Sequence, residues 1–502
     1  MQVRKKETKW SPISAFTLLS FLFVATVVAR AQVLEEEMEM VEEEEDFNEM
    51  RLELIHRHDP RIPGNYKLSN VSRFEQIKEL ARRDILRRQR LFQRWDSDLL
   101  DADAYPQRRK NWEIIEMPMH AGLHYGIGEY FVEVKIGTPA HSFWLIADLG
   151  SDLTWVRCKY CTGNCQTHRR RKRRNRSNRS SSRVFNANRS RTFQPVTCSS
   201  KRCKFELLSL YALPTDCSNP SDPCRYIYRY FDGSAAGGLF GSETITVGHA
   251  NGKKRKLKNV LIGCTKNTSE GSTFNERTDG VLGLSLSRES FLMKAAIEYG
   301  GKFSYCLVDH LSPQNVSNYL SFGGHRNPKT TFLGEIRETQ LIIDDPFMGL
   351  NVLGLSAGGQ MLKIPSETWN FLDGGGLIMD SGQSLTFLTT PAYEPLMNVL
   401  LKVFENLDTL EEDYSPFEYC YNSTEVDESS IPRLAFHLEG GSRFEPPVKS
   451  YVVDASPYAK CIGITPATWP GYSTLGNIMQ QNHFWEFDLS LNTVAYAPST
   501  CT

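Results

Sequence analysis

Residues 145–155 read LIADLGSDLTW. An apolar run leads into an Asp, a Gly-Ser loop follows, and a second apolar run closes the stretch. Residues 377–387, LIMDSGQSLTF, repeat the pattern. The two share Asp-x-Gly-x-x-Leu-Thr-aromatic and lie 232 residues apart. Each is followed much later by a Leu-Gly pair after turn residues, DGVLGLS at 279–285 and YSTLGNI at 472–478. One unit used twice predicts two similar lobes. A pseudo-twofold axis between them would bring the two Asp loops face to face.

The surrounding texture is that of an all-β protein. From about Glu113, short runs rich in Val, Ile, Tyr, Phe and Thr alternate with Gly, Pro, Asn and Asp turns: EYFVEVKIGTP, SETITVG, KNVLIGCT, GLIMDSG and NTVAYAP. Two helical windows interrupt them, SFLMKAAIEYG at 290–300 and AYEPLMNVLLKVFENL at 392–407. A chain of 502 residues is long enough for two or three domains. The formal net charge of −1 gives no reason to expect a nucleic-acid partner.

The first 116 residues differ in character. A basic start, an apolar run at 15–29 and the small residues of Ala29-Arg30-Ala31 make a signal peptide over 1–31, with chloroplast import as the alternative. No later segment is apolar enough to span a membrane, so no membrane association is expected after processing. The acidic stretch QVLEEEMEMVEEEEDFNEM reads as solvated chain. An Arg-rich helix follows over 71–95, with Ser72 and Glu75 as a capping box and Phe74, Ile77, Ala81 and Ile85 on one face. All twelve cysteines lie from Cys158 onward, an even set that favours disulfides in an oxidising compartment, with the pairing left open. A zinc site at Cys158, Cys161, Cys165 and His168 is the weaker alternative. The basic tract at 168–183 reads first as a surface loop and second as a site for a basic-directed processing protease; nuclear import ranks well below both. Glycosylation sequons start at Asn70, Asn175, Asn178, Asn188, Asn267, Asn315 and Asn422.

Two carboxylates held close cannot both ionise freely. One pKa rises, the other falls, and the pair shares a proton. One member can then take a proton from water while the other protonates a substrate carbonyl. Asp148 and Asp380 are the candidates; Gly150 and Gly382 allow tight turns beside them. This chemistry calls for no cofactor and no metal.

Many further motifs occur in one order: LELIHRHDPR, GEYFVEVKIGTP, DLGSDLTWVRC, YRYFDGSAAGGLFGSETITV, GCTKN, DGVLGL, FSYCL, LSAGGQMLKIP, IMDSG and LGNIMQQNHFWEFDLSLNTVAYAP. On these the chain resembles the pepsin-like aspartic proteases and, within them, the plant nepenthesin-like group, NANA-type members included. The resemblance implies a bilobal all-β fold, a monomer, and peptide or protein substrates in the interlobe cleft. It implies Asp148 and Asp380 as the catalytic dyad, with Ser151, Ser381, Gly150, Gly382 and Gln383 as support. Tyr230, Phe231, Asp232 and Gly233 would belong to a flap over substrate, with Trp155 bracing the Tyr230 hydroxyl. Cys420 and Cys461 are a disulfide candidate. Residues 32–116 would be a prosegment acting as an intramolecular inhibitor, followed by lobes over 117–325 and 326–502. The route would be secretory, to the apoplast or vacuole.

Three positions depart from the family pattern. Leu149 stands where Thr is usual, which removes one interlobe hydrogen bond and leaves Ser381 to make the other. The reading so far makes Leu149→Thr a stabilising change. Gln383 stands where Thr or Ser is usual, and its amide is expected to reach Asp380. Phe231 replaces the Gly after the flap tyrosine. These departures motivate a rival, a catalytically impaired protein of the same fold acting as a binding or inhibitor module. A second rival is a serine hydrolase, from the G-x-S-x-G match GLSAG at Ser356; that motif needs a strand, a sharp turn and a helix.

Overall fold

Glycine at the end of each Leu-Gly pair shows how the two Asp loops are built. The strand Gly280–Gly283 runs parallel to His141–Asp148, with Gly283 level with Asp148, and antiparallel to Trp155–Lys159. It is wedged between the chain entering the first Asp loop and the chain leaving it. A Cβ on Gly283 would lie 2.8 Å from the Asp152 carbonyl carbon, closer than a side chain can come. The second loop repeats the arrangement. Ser473–Leu475 runs parallel to Leu377–Met379 and meets Thr386–Thr389 antiparallel at Thr474 and Phe387. A Cβ on Gly476 would meet the Leu385 carbonyl oxygen at 2.3 Å. The paired motifs are therefore one packing solution used twice.

The structure is a computed structural model that describes residues 50–56, 130–160, 183–210, 212–214, 217–230, 235–248, 254–269, 278–299, 301–309, 318–323, 331–344, 346–410, 414 and 417–501. The signal region, the acidic stretch, the helix expected at 71–95, the basic tract up to 182, and Phe231, Asp232 and Gly233 lie outside the described residues.

One hydrogen-bonded sheet joins the lobes. From His141–Asp148 it passes through Tyr130–Ile136, Met50–His56, Asn318–Phe322, Lys302–Cys306, His483–Asp488, Thr493–Pro498 and Arg337–Asp344. Neighbours in this series are antiparallel. Met50–His56 is not an edge strand: Leu54 pairs with Val132 on one side and with Asn318 on the other. The apolar core runs along the sheet, so that Leu145, Tyr130, Phe303, Trp485 and Phe487 belong to one buried cluster. Phe303 and Phe487 face each other across neighbouring strands as stacked rings, 4.5 Å between centroids, a pairing that adds to area burial.

Both expected helices form. Phe291–Glu298 is capped by Ser290, whose hydroxyl accepts from the Met293 N–H at 3.1 Å. Thr390–Val403 stops short of the expected 407, because Phe404 leaves helical geometry and stacks on Tyr421 at 4.4 Å. Five disulfides occur among the described residues: Cys158–Cys264, Cys198–Cys217, Cys203–Cys224, Cys306–Cys501 and Cys420–Cys461. The last is the expected candidate. The first removes Cys158 from any zinc site.

Cys306–Cys501 ties the chain end to the interlobe sheet across a separation of 195 residues. Replacing both cysteines by Ala should lower unfolding free energy by about 2–5 kcal/mol, read from urea denaturation. An unchanged midpoint would mean that strand pairing alone secures the C-terminal segment.

Candidate active site

Each Asp emerges at or just beyond the end of a buried strand, and the strand inserted beside it holds its backbone. Leu284 N–H donates to the Asp148 carbonyl at 2.8 Å; Asp380 N–H donates to the Leu475 carbonyl at 3.2 Å. The loops then meet across the pseudo-twofold axis. A Cβ built on Gly382 would lie 2.6 Å from Asp148 Oδ1 and 3.2 Å from Asp380 Oδ1. Both carboxylates therefore converge beside one glycine, and no larger residue fits there. Both are buried.

Asp148 Oδ1 accepts from Gly150 N–H at 3.0 Å, and Oδ2 accepts from the Ser151 hydroxyl at 2.7 Å. Asp380 Oδ1 accepts from Gly382 N–H at 2.7 Å. The second-loop counterpart of Ser151 is Gln383. Its amide does not take up the expected bond to Asp380; it donates to the Leu385 carbonyl at 2.9 Å. Its longer arm folds back along its own chain, so it shapes the loop.

The clasp between loops rests on Ser381. Its hydroxyl accepts from Leu149 N–H and donates to the Ala147 carbonyl, both at 3.1 Å. Leu149 is 2% exposed and belongs to the main apolar cluster. Trp155 Nε1 donates to the Tyr230 hydroxyl at 2.6 Å, and both side chains are buried. Burial, reinforced by the Asp148 charge, pushes the Tyr230 hydroxyl well above its ordinary pKa and keeps it neutral.

Sequence reasoning passed over three side chains. Tyr305 donates to Gln480 Oε1 at 2.6 Å, and Gln480 Nε2 reaches the Asp380 carbonyl at 3.3 Å. Both sit inside quoted motifs, FSYCL and LGNIMQQ, with nothing in periodicity to mark them. Tyr228 accepts from Asp152 N–H at 3.3 Å; the alternation of Tyr226, Tyr228 and Tyr230 was its available signal.

Ser356 is not a nucleophile elbow. It lies within the strand Val352–Ala357, is 2% exposed, and is followed by a turn into Gln360–Met361 with no helix. Its 2.8 Å contact with His437 Nε2 is a cross-strand pair in a sheet. Of the sequons, Asn188 and Asn267 are exposed and Asn422 is half-buried; Asn70, Asn175, Asn178 and Asn315 lie outside the described residues.

A two-lobed β fold with paired Asp loops clasped across a pseudo-twofold axis defines a molecule of the aspartic protease type. Two family models, described as Xylanase inhibitor N-terminal and Xylanase inhibitor C-terminal, match residues 130–324 and 349–498. Aspartyl protease family protein 2 of Arabidopsis thaliana is 29% identical over 386 residues, 76% of this chain and 73% of that one. Aspartic proteinase nepenthesin-1 of Nepenthes gracilis is 29% identical over 465 residues, 90% of this chain and 93% of that one. Among solved structures, basic 7S globulin from soybean shares the fold with a TM-score of 0.55 at 17% identity, over 74% of this chain and 94% of its own. The chain belongs to the pepsin-like aspartic protease family, in its plant nepenthesin-like group.

The burial of Leu149 corrects the expectation that Leu149→Thr stabilises. A regained interlobe hydrogen bond adds about 1 kcal/mol, whereas the lost apolar burial costs about 2 kcal/mol. Leu149→Thr should therefore destabilise by about 1 kcal/mol, and Ser381→Ala by about 1–3 kcal/mol because it strands two buried backbone groups. Chemical denaturation of both variants measures this; a gain for Leu149→Thr would show that the apolar pocket is poorly filled.

Proposed function

We propose that the chain is an aspartic endopeptidase made as a zymogen. The observation that carries this reading is the convergence of Asp148 and Asp380 beside Gly382, with the Ser151 hydroxyl donating to Asp148. The Ser151 hydroxyl stabilises a negative Asp148, because a donor to a carboxylate favours its ionised form. Asp380 then holds the shared proton. A water between them loses a proton to Asp148 as it attacks the peptide carbonyl. Asp380 protonates the carbonyl oxygen, and no covalent intermediate forms. Tyr230 supports substrate from the flap side.

In this reading residues 32–116 form the prosegment, the mature chain starts near Met117, and the lobes cover 117–325 and 326–502. The Arg-rich helix covers an acidic cleft at neutral pH and leaves it as carboxylates protonate. Secretory routing to the apoplast or vacuole is supported by the five disulfides, which belong to an oxidising compartment. The relatives named as aspartic proteinases support peptide or protein substrates.

The second reading is a binding or inhibitor module. It is favoured by the description of the matching family models as xylanase inhibitor domains and by Leu149 at the clasp. A peptide-library assay of the acid-treated chain between pH 2 and 7 separates the two. The protease reading expects cleavage that drops by about a thousandfold or more in both Asp148→Asn and Asp380→Asn. A folded, processed chain that cuts nothing across that range would falsify it and leave the binding module.

A further inference from the structure

We propose that Tyr228 is a positioning residue: its hydroxyl holds the Ser151–Asp152 peptide so that Ser151 is aimed at Asp148. This deepens the protease reading and rests on it. The strand Arg225–Arg229 turns Tyr226 and Tyr228 inward, and Tyr230 follows just beyond its end. Tyr226 is engaged by Thr265 Oγ1 at 2.6 Å and Tyr230 by Trp155. Tyr228 reaches the backbone of the loop that carries Asp148.

The peptide between Ser151 and Asp152 is held at both ends. Its carbonyl accepts from Ser285 N–H at 3.0 Å, and its N–H donates to the Tyr228 hydroxyl at 3.3 Å. A peptide unit is planar, so fixing its oxygen and its nitrogen fixes its orientation. That orientation sets where the preceding residue points. The Ser151 hydroxyl accordingly sits 2.7 Å from Asp148 Oδ2. Removing the Tyr228 oxygen takes away the acceptor that this N–H meets there, and the peptide would gain from tilting. The same ring packs against Tyr230 in a tilted contact, 4.6 Å between centroids. The base of the flap and the catalytic loop are thus fastened at two points, Asp152 to Tyr228 and Trp155 to Tyr230, about 7 Å apart along the strand.

The titratable groups facing Asp148 are Asp380 across the axis and Tyr228 and Tyr230 from the flap strand, with Asp152 in the same loop. Both tyrosines stay neutral through the acid range, since burial first and the nearby carboxylates second raise them. The acid limb of the rate profile therefore reports the carboxylates.

Tyr228→Phe keeps the ring and its contact with Tyr230 and removes the hydroxyl. The expected result is a fall in kcat of about tenfold with KM changed by less than about twofold. The acid limb of kcat should move to higher pH, because a carboxylate with a weakened donor ionises less readily. In a Ser151→Ala background the same change should cost less than about twofold, since there is no hydroxyl left to aim. Equal losses in both backgrounds, or an unmoved acid limb, would make Tyr228 a packing residue and overturn the proposal. If Tyr228→Phe folds poorly, 3-fluorotyrosine at 228 keeps ring and hydroxyl, weakens the acceptor, and should move the limb the same way. Hydrogen exchange supplies an arm independent of activity: Tyr228→Phe should raise exchange in the 149–155 segment and spare the interlobe sheet. Unchanged exchange there overturns the proposal. Wild-type chain that cleaves nothing defeats the protease reading instead, and the exchange result then decides the role of Tyr228.

Discussion

The Ser381 hydroxyl, accepting from Leu149 and donating to Ala147 across the axis, fixes the spacing of the two Asp loops. One oxygen makes both bonds, so neither loop can slide without breaking one. Energetically this is small, on the order of 1 kcal/mol per bond. What holds the lobes together is the continuous sheet with its buried core. The clasp has a narrower task, to set the register of two carboxylates that the sheet has already brought near. This division explains how Leu149 can stand at the clasp: its side chain adds to the apolar contact, while its backbone N–H still serves the bond.

The two Asp loops share a backbone but differ in side chains. Ser151 donates to Asp148, whereas Gln383, at the corresponding place in the second loop, spends its amide on Leu385. The repeat unit was copied in backbone and diverged in side chains. The second loop receives its stiffness from beneath, through Gln480 on the Asp380 carbonyl and Tyr305 on Gln480.

Much of this was legible in the chain, and the limits have physical causes. The Asp-x-Gly repeats and the Leu-Gly pairs were readable because backbone crowding dictates them, and only glycine satisfies it at Gly283 and Gly476. The all-β texture and both helices were readable from local periodicity. Leu149 was harder, because whether a large side chain strains or fills its site depends on neighbours distant in sequence. Gln383 was misjudged for a related reason: a flexible amide chooses among acceptors, and here it takes the loop's own Leu385 carbonyl. Tyr228 looked like one more strand aromatic, since its partner is a backbone N–H and leaves no mark on composition. The strand Met50–His56 was seen as a motif without its pairing, because partners on both flanks lie more than seventy residues away.

That strand separates order along the chain from order in space. It precedes every residue of both Asp loops, yet it lies in the middle of the sheet that joins the lobes, bonded through its backbone on either side. Scission anywhere in 57–129 would end its covalent link to the rest and leave the ladder bonds among the described residues in place. If the chain is processed as proposed, its maturation is an exchange reaction. A newly freed N-terminal end must invade an occupied slot, or the severed strand stays as a small second subunit, visible only once the protein is unfolded.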